Sequence, residues 1–191
     1  MEVLSMPKII KDIEETIIYT SLELFGKYGY DGVDMKMISQ KCGIAVGTLY
    51  NYYPNKMELF FSVFEKSWHK TFKKLEDAQK SNLPPKELLK NYIKILYDDI
   101  KGRKGIGREL LKNNSIEPVK EERIAAFKEQ LMCHIESTVN LIPKSAFKNK
   151  EYDTSRRLAE IFTVIITVLI DGHSDEDEYN IDFIETIIDS L

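Results

Sequence analysis

The segment that most constrains this chain is "TSRRLAEIFTVIITVLI", residues 154–170. On a helix of 3.6 residues per turn, Leu158, Ile161, Phe162, Val164, Ile165, Ile166, Val168 and Leu169 occupy more than one side. The apolar run from Ile161 to Ile170, interrupted only by Thr163 and Thr167, is ten residues, whereas a membrane span needs roughly 20. A helix apolar all round, and too short for a bilayer, has to be buried all round by protein. In a chain of 191 residues the natural cover is a second copy of the same chain. Leu158, Ile161, Ile165 and Leu169, with Ile184 and Ile188 from a last helix at 181–190, are therefore the expected homodimer interface, a two-fold four-helix packing.

Elsewhere the same period recurs, so the expected class is all-α, about nine helices with no convincing strand. Ile9, Ile10, Ile13, Ile17, Ile18, Leu22, Leu24 and Phe25 repeat at three and four, and "GKYGYDG" (26–32) ends that helix. Asp34 offers a capping carboxylate to "MKMISQKC", and Gly43 suits the left-handed position that closes it. A second short helix is expected from Val46 to Tyr52. Pro54 suits the first turn of a long helix to about Lys80, along which Phe60, Phe64, Trp68 and Phe72 recur every fourth residue. "SNLPP" (81–85) then opens a helix to about Ile100. A short helix near Arg108–Lys112, longer ones at 118–141 and 154–170, and the last at 181–190 complete the series. The domain expectation is a head, 1–56, and a body, 57–191.

Composition narrows the class of protein. Apolar residues make up 43% and charged residues 30%, ordinary globular values that argue against wholesale disorder. "MEVLSMPKIIKDIEE" has no apolar core for a secretory signal, and Cys42 and Cys133 have no metal or redox spacing. A reduced, cytoplasmic chain that does not enter a membrane is expected. No catalytic constellation appears: His69, His134 and His173 stand alone, and "GRKGIGREL" lacks the marks of a dinucleotide or phosphate loop. His173 beside "SDEDE" reads as a solvated acidic loop. The expectation is a non-enzyme with neither cofactor nor metal. The net charge of −4 does not decide for or against nucleic acid. Residues 1–80 hold eleven Lys/Arg and eleven Asp/Glu, and the whole deficit falls in 81–191, with sixteen and twenty.

Local placement is more telling. Two short helices joined by a glycine turn, after one longer helix, form a helix-turn-helix pattern. Ile38, Cys42, Ile44, Leu49 and Tyr53 have the spacing to face inward, with Cys42 a small core filler. Thr48, Tyr50, Asn51 and Tyr52 are left toward the exposed side. Tyrosine hydroxyls beside Lys56 suit phosphate oxygens and base edges.

"GYDGVDMKMISQKCGIAVGTLYNYYPNKMELFF" resembles the DNA-binding signature of the TetR family of bacterial transcriptional repressors. The shared features are the aromatic after Gly29, Ile38, the Gly43–Ile44 turn, "GTLYNYYPNK" and the following "ELF". The resemblance covers residues 8–61 by motif and the later helices by order and length. It implies a base or backbone contact at Lys36, base contacts at Thr48 and Tyr50, and phosphate contacts at Tyr52 and Lys56. Two departures stand out: Ala45 replaces the usual capping Ser, and Val46 the polar residue after it. A lost cap costs about 1 kcal/mol. With Val46 and Gly47 there, readout at that end rests on apolar and shape contacts.

In such a family the body surrounds a small-molecule cavity whose occupancy spreads the two heads. The aromatics Phe64, Trp68, Tyr92, Tyr97, Phe127 and Phe162, with His134, are accordingly the candidate lining for a hydrophobic effector. The same side chains also suit a tightly packed core. Two functions follow: a dimeric, ligand-responsive repressor on a palindromic double-stranded operator, or a helical small-molecule-binding or adaptor protein whose head no longer binds DNA. The neutral head and the Ala45 and Val46 departures keep the second open.

Overall fold

The computed structural model describes residues 13–103, 118–144 and 153–191. Among these residues there are eight helices and no strand. They are α1 (Ile13–Tyr28), α2 (Met35–Cys42), α3 (Val46–Tyr52), α4 (Lys56–Gln79), α5 (Pro85–Gly102), α6 (Pro118–Asn140), α7 (Thr154–Gly172) and α8 (Asp177–Asp189). The expected helix near Arg108–Lys112 lies outside the described residues. The chain forms two compact units, Met1–Lys66 and Ser67–Leu191, and α4 contributes residues to both.

In the first unit, local chemistry sets the helix limits. Asp34, in an extended conformation, accepts from Met37 N at 2.7 Å and so caps α2. Gly43 closes α2 at φ 71°, a left-handed conformation that glycine adopts without strain. α1 ends at Tyr28, inside the segment "GKYGYDG" expected to stop it. Gly29, also at φ 71°, is the residue that ends it, its N–H donating to Phe25 O at 2.9 Å. α4 begins at Lys56 rather than Pro54, because Asn55 Oδ1 accepts from Glu58 N at 2.9 Å and takes the capping position. Ile17, Phe25, Ile38, Leu49, Leu59 and Phe60 are buried together in this unit's core, each such side chain stabilising by roughly 1.5–3 kcal/mol. The rings of Phe25 and Tyr30 both meet Phe60 edge-on, at 4.9 and 5.0 Å.

In the second unit α5 is the central element, packing on α6, α7 and α8. Leu89, Tyr92, Ile93 and Leu96 of α5 are buried with Phe72, Leu75, Ile135, Phe162 and Ile184 in one core. Asp153 caps α7 by accepting from Arg156 N at 2.9 Å. α8 starts four residues earlier than the expected Ile181, inside the supposed acidic linker. The cause is tertiary: Asp177 pairs with Lys101 Nζ and accepts from Tyr97 Oη at 2.9 Å, while buried Asn180 donates to Tyr97 Oη and to His173 O. Once those side chains are committed to α5, the first turn of α8 is held in place. No helix among the described residues is long and apolar enough to cross a membrane.

Candidate nucleic-acid interface

α3 has seven residues, and Leu49 is its one buried side chain. Val46, Tyr50 and Tyr52 are 42%, 49% and 44% exposed. Gly47 and Asn51 are exposed beside them, and Thr48 is half-buried. So short a helix is marginal alone. Leu49 anchors it below, Tyr53 N donates to Leu49 O at its end, and the Gly43–Ile44 turn ties it to α2 through Ile44 N donating to Ser39 O at 3.0 Å. Its N-cap, Ala45, makes no side-chain cap bond, as the sequence departure implies. The helix is thus a platform held from one side. Its other side presents two phenols, an amide and a valine.

Lys36 is exposed on the first turn of α2. Lys56 is half-buried, and its Nζ donates to Tyr30 O and Val33 O, both at 2.9 Å, while lying 4.1 Å from the Tyr30 ring centre. An ammonium has three protons. Two of them stitch the turn between α1 and α2 to the start of α4. No local signal in the sequence announces this stitch, since its acceptors are carbonyls 23 and 26 residues away.

Two further side chains complete the frame. Cys42 is buried with Sγ 3.9 Å from Thr16 O, and burial pushes its thiol pKa up, as suits a core filler. Tyr53 is buried with Oη 3.5 Å from Glu14 Oε1. Burial, and then the neighbouring carboxylate, push its pKa up to about 12.

The candidate effector residues divide. Phe64 is buried in the first unit. In the second unit Trp68 packs on Phe72 at 5.8 Å, and Phe72 stacks on Phe127 and on His134, both at 6.1 Å. His134 in turn meets Tyr92 edge-on at 6.2 Å. Burial lowers the His134 pKa, which favours the neutral imidazole within this aromatic series. Trp68, Phe127 and His134 are half-buried, whereas Tyr92, Tyr97 and Phe162 are at most 1% exposed. Tyr97 is committed to Asp177 and Asn180. Tyr97 and Phe162 therefore serve the core, a correction to their place among the effector-facing residues.

The expected subunit face also divides. Ile161, Val164 and Val168 on α7 are 54%, 59% and 58% exposed, with Ile165 and Leu169 half-buried beside them. Tyr179 and Phe183 on α8 are exposed as well. Leu158, Ile184 and Ile188, in contrast, lie in the unit's own core, so they are not available to a partner. The reason is that α7 and α8 each turn one apolar face inward and another outward. Sequence period alone does not say which is which.

A sequence profile described as bacterial regulatory proteins, tetR family, matches residues 17–63. The HTH-type transcriptional regulator YuxN of Bacillus subtilis is 29% identical over 140 residues, 72% of this chain and 48% of that protein. The chain thus spans about half the length of this curated relative. Among solved structures, a transcriptional regulator FadR from Bacillus subtilis in complex with stearoyl-CoA superposes with a TM-score of 0.72 at 18% identity, covering 92% of this chain and 95% of that one. AibR in complex with isovaleryl coenzyme A and operator DNA superposes with the same TM-score at 17% identity, covering 92% and 97%. At those identities the likeness is one of fold.

Proposed function

We propose that the chain, whose residues 17–63 match the tetR family of bacterial regulatory proteins, is a member of that family and a cytoplasmic transcriptional repressor. It binds a palindromic operator in double-stranded DNA as a homodimer and releases it when a small hydrophobic effector occupies the body. The observation that carries the proposal is α3: an exposed row of Val46, Tyr50 and Tyr52 on a helix whose one buried residue is Leu49. Large side chains held in solvent on a rigid helix-turn-helix frame suit a major groove. Tyr50 and Thr48 read base edges, Asn51 lies beside them, and Val46 and Gly47 contribute apolar and shape contacts. Lys36, Tyr52 and the third proton of Lys56 take phosphates.

The exposed face of Ile161, Val164, Ile165, Val168 and Leu169, extended by Phe183, is the subunit interface. Operator binding by such a dimer requires the two copies of α3 to lie roughly 34–36 Å apart, one turn of DNA, or slightly stretched. The functional parts are a DNA-binding head over 1–56 and an effector and dimerisation body over 57–191. α4 contributes to both compact units and is the transmitting element. An effector that prefers the released state by about 1–3 kcal/mol lowers operator affinity roughly 5–150-fold. The coenzyme A thioesters named for the two structural neighbours support testing apolar acyl compounds first.

The test is DNA binding at stated salt, with the DNA upstream of the chain's own coding sequence. Tyr50→Ala is expected to weaken specific binding by about 1–3 kcal/mol and to leave non-specific binding nearly unchanged. The uncapped α3 favours one alternative, an adaptor or small-molecule-binding protein with a silent head. A wild-type dimer that binds no DNA even at low salt would establish that alternative.

A further inference from the structure

Arg103, the C-cap residue of α5, is a buried cation. Arg103 is 7% exposed. Its guanidinium carbon lies 4.2 Å from the centre of the Trp68 ring. Nη2 donates to Thr71 Oγ1 and, at 3.4 Å, to Ser67 O. Nη1 is buried and has no hydrogen-bond partner among the described residues. The counter-charge beside it among the described residues, Asp99 Oδ2, is 3.9 Å from Nη2. That carboxylate is already engaged: Oδ2 accepts from Thr71 Oγ1 at 2.7 Å and Oδ1 from Lys74 Nζ at 2.5 Å. Among the described residues two cations thus face this one anion, which leaves one positive charge and one buried donor on the guanidinium without an acceptor. A buried donor without an acceptor is a standing cost, and buried charged groups are ordinarily fully bonded.

The vacancy sits at one end of the aromatic series. From Arg103 it runs through Trp68 and Phe72 to Phe127 and His134, and then to Tyr92. A cation with a free donor, next to half-buried rings, is the chemistry that receives an apolar molecule with an anionic end. Guanidinium geometry matches a planar carboxylate, and one net positive charge matches one negative charge. A phosphate dianion in the same place would keep an uncompensated buried charge.

We propose that Arg103 is the head-group site for the effector, and that the effector is an apolar monocarboxylate whose body lies along Trp68, Phe72 and Phe127. The proposal rests on the ligand-responsive reading above and names the chemical class of its ligand.

The test uses the full-length chain and its single tryptophan, Trp68, as the reporter. Trp68 emission and operator binding are followed together during titration with hexanoate, decanoate, palmitate and 3-phenylpropionate. Methyl decanoate and decanoyl-CoA are the comparison ligands. At least one acid is expected to bind about tenfold or more tightly than its methyl ester, the worth of a charge-assisted bond. That preference is expected to vanish in Arg103→Met and to survive in part in Arg103→Lys, so a poorly folding Met variant leaves both the ester comparison and the Lys variant to decide. Equal binding of acid and ester, or an acid preference that persists in a folded Arg103→Met, overturns the proposal. So does decanoyl-CoA binding that exceeds decanoate and ignores Arg103→Met, since its charge would then be held elsewhere. Operator binding that is intact while no carboxylate binds refutes the Arg103 site alone. Loss of operator binding in the wild-type chain itself refutes the underlying regulator reading.

Discussion

α3 and α7 both hold large apolar side chains in solvent, but they do so by different means. α3 has seven residues, an N-cap with no side-chain bond, and an outer face led by two tyrosines. α7 has nineteen residues, a capping Asp153, and an outer face of Ile161, Val164 and Val168. A tyrosine exposed on α3 keeps its hydroxyl hydrated until a polar partner arrives, so its free state costs little. An aliphatic stripe offers water nothing, and only another apolar surface repays its exposure. On the proposed reading the two faces therefore differ in what covers them: a polar, charged duplex for α3 and a second copy of the chain for α7.

The largest effect expected from breaking that contrast is at α7. Val164→Arg leaves the unit's own core untouched, because Val164 is already 59% exposed. In an apolar interface it buries an unpaired charge at a cost of several kcal/mol. Sedimentation should show a folded monomer, and specific DNA affinity should fall with dimerisation. A normal dimer would detach α7 from the interface.

A smaller effect is expected at Lys56→Met. It removes the donors to Tyr30 O and Val33 O, a loss of about 1–3 kcal/mol if those carbonyls stay buried. Thermal unfolding and amide exchange across residues 30–33 read the stitch. The salt slope of DNA binding, expected to fall by about one, reads the phosphate contact. A lower slope with unchanged stability would assign Lys56 to phosphate alone.

The smallest effect is at Ala45→Ser, which restores the missing cap and should stabilise α3 by about 0.5–2 kcal/mol. Slower exchange of the Gly47 and Thr48 amides, the positions a cap side chain reaches, is the check. Unchanged exchange would mean that Leu49 and the turn from α2 already hold the helix start rigid.

Legibility in the sequence follows the range of the interaction. α2 and α3 fall where their residues predict, because Asp34 and Gly43 act within three residues of the termini they set. The helix-turn-helix frame and its exposed tyrosines follow from the same short-range chemistry. The start of α8 does not, since Asp177 is bound to Tyr97 and Lys101, about 80 residues earlier. Neither do the Lys56 stitch to Tyr30 and Val33 or the Arg103 vacancy, whose neighbours Ser67, Trp68 and Thr71 come from another helix.

By itself the sequence determined the eight helical segments among the described residues, the caps that Asp34 and Gly43 give α2, and that residues 154–170 are apolar on more than one side. Those properties depend on backbone conformation, capping and side-chain period, all of which act over a few residues. Only the tertiary structure decided the inward and outward faces of α7 and α8. It alone committed Leu158, Ile184 and Ile188 to the core, left Ile161, Val164 and Val168 outside, and placed a guanidinium against Trp68 with one buried donor unused. A helix's own residues set its period, but the direction in which that period is read depends on neighbours far away in the chain.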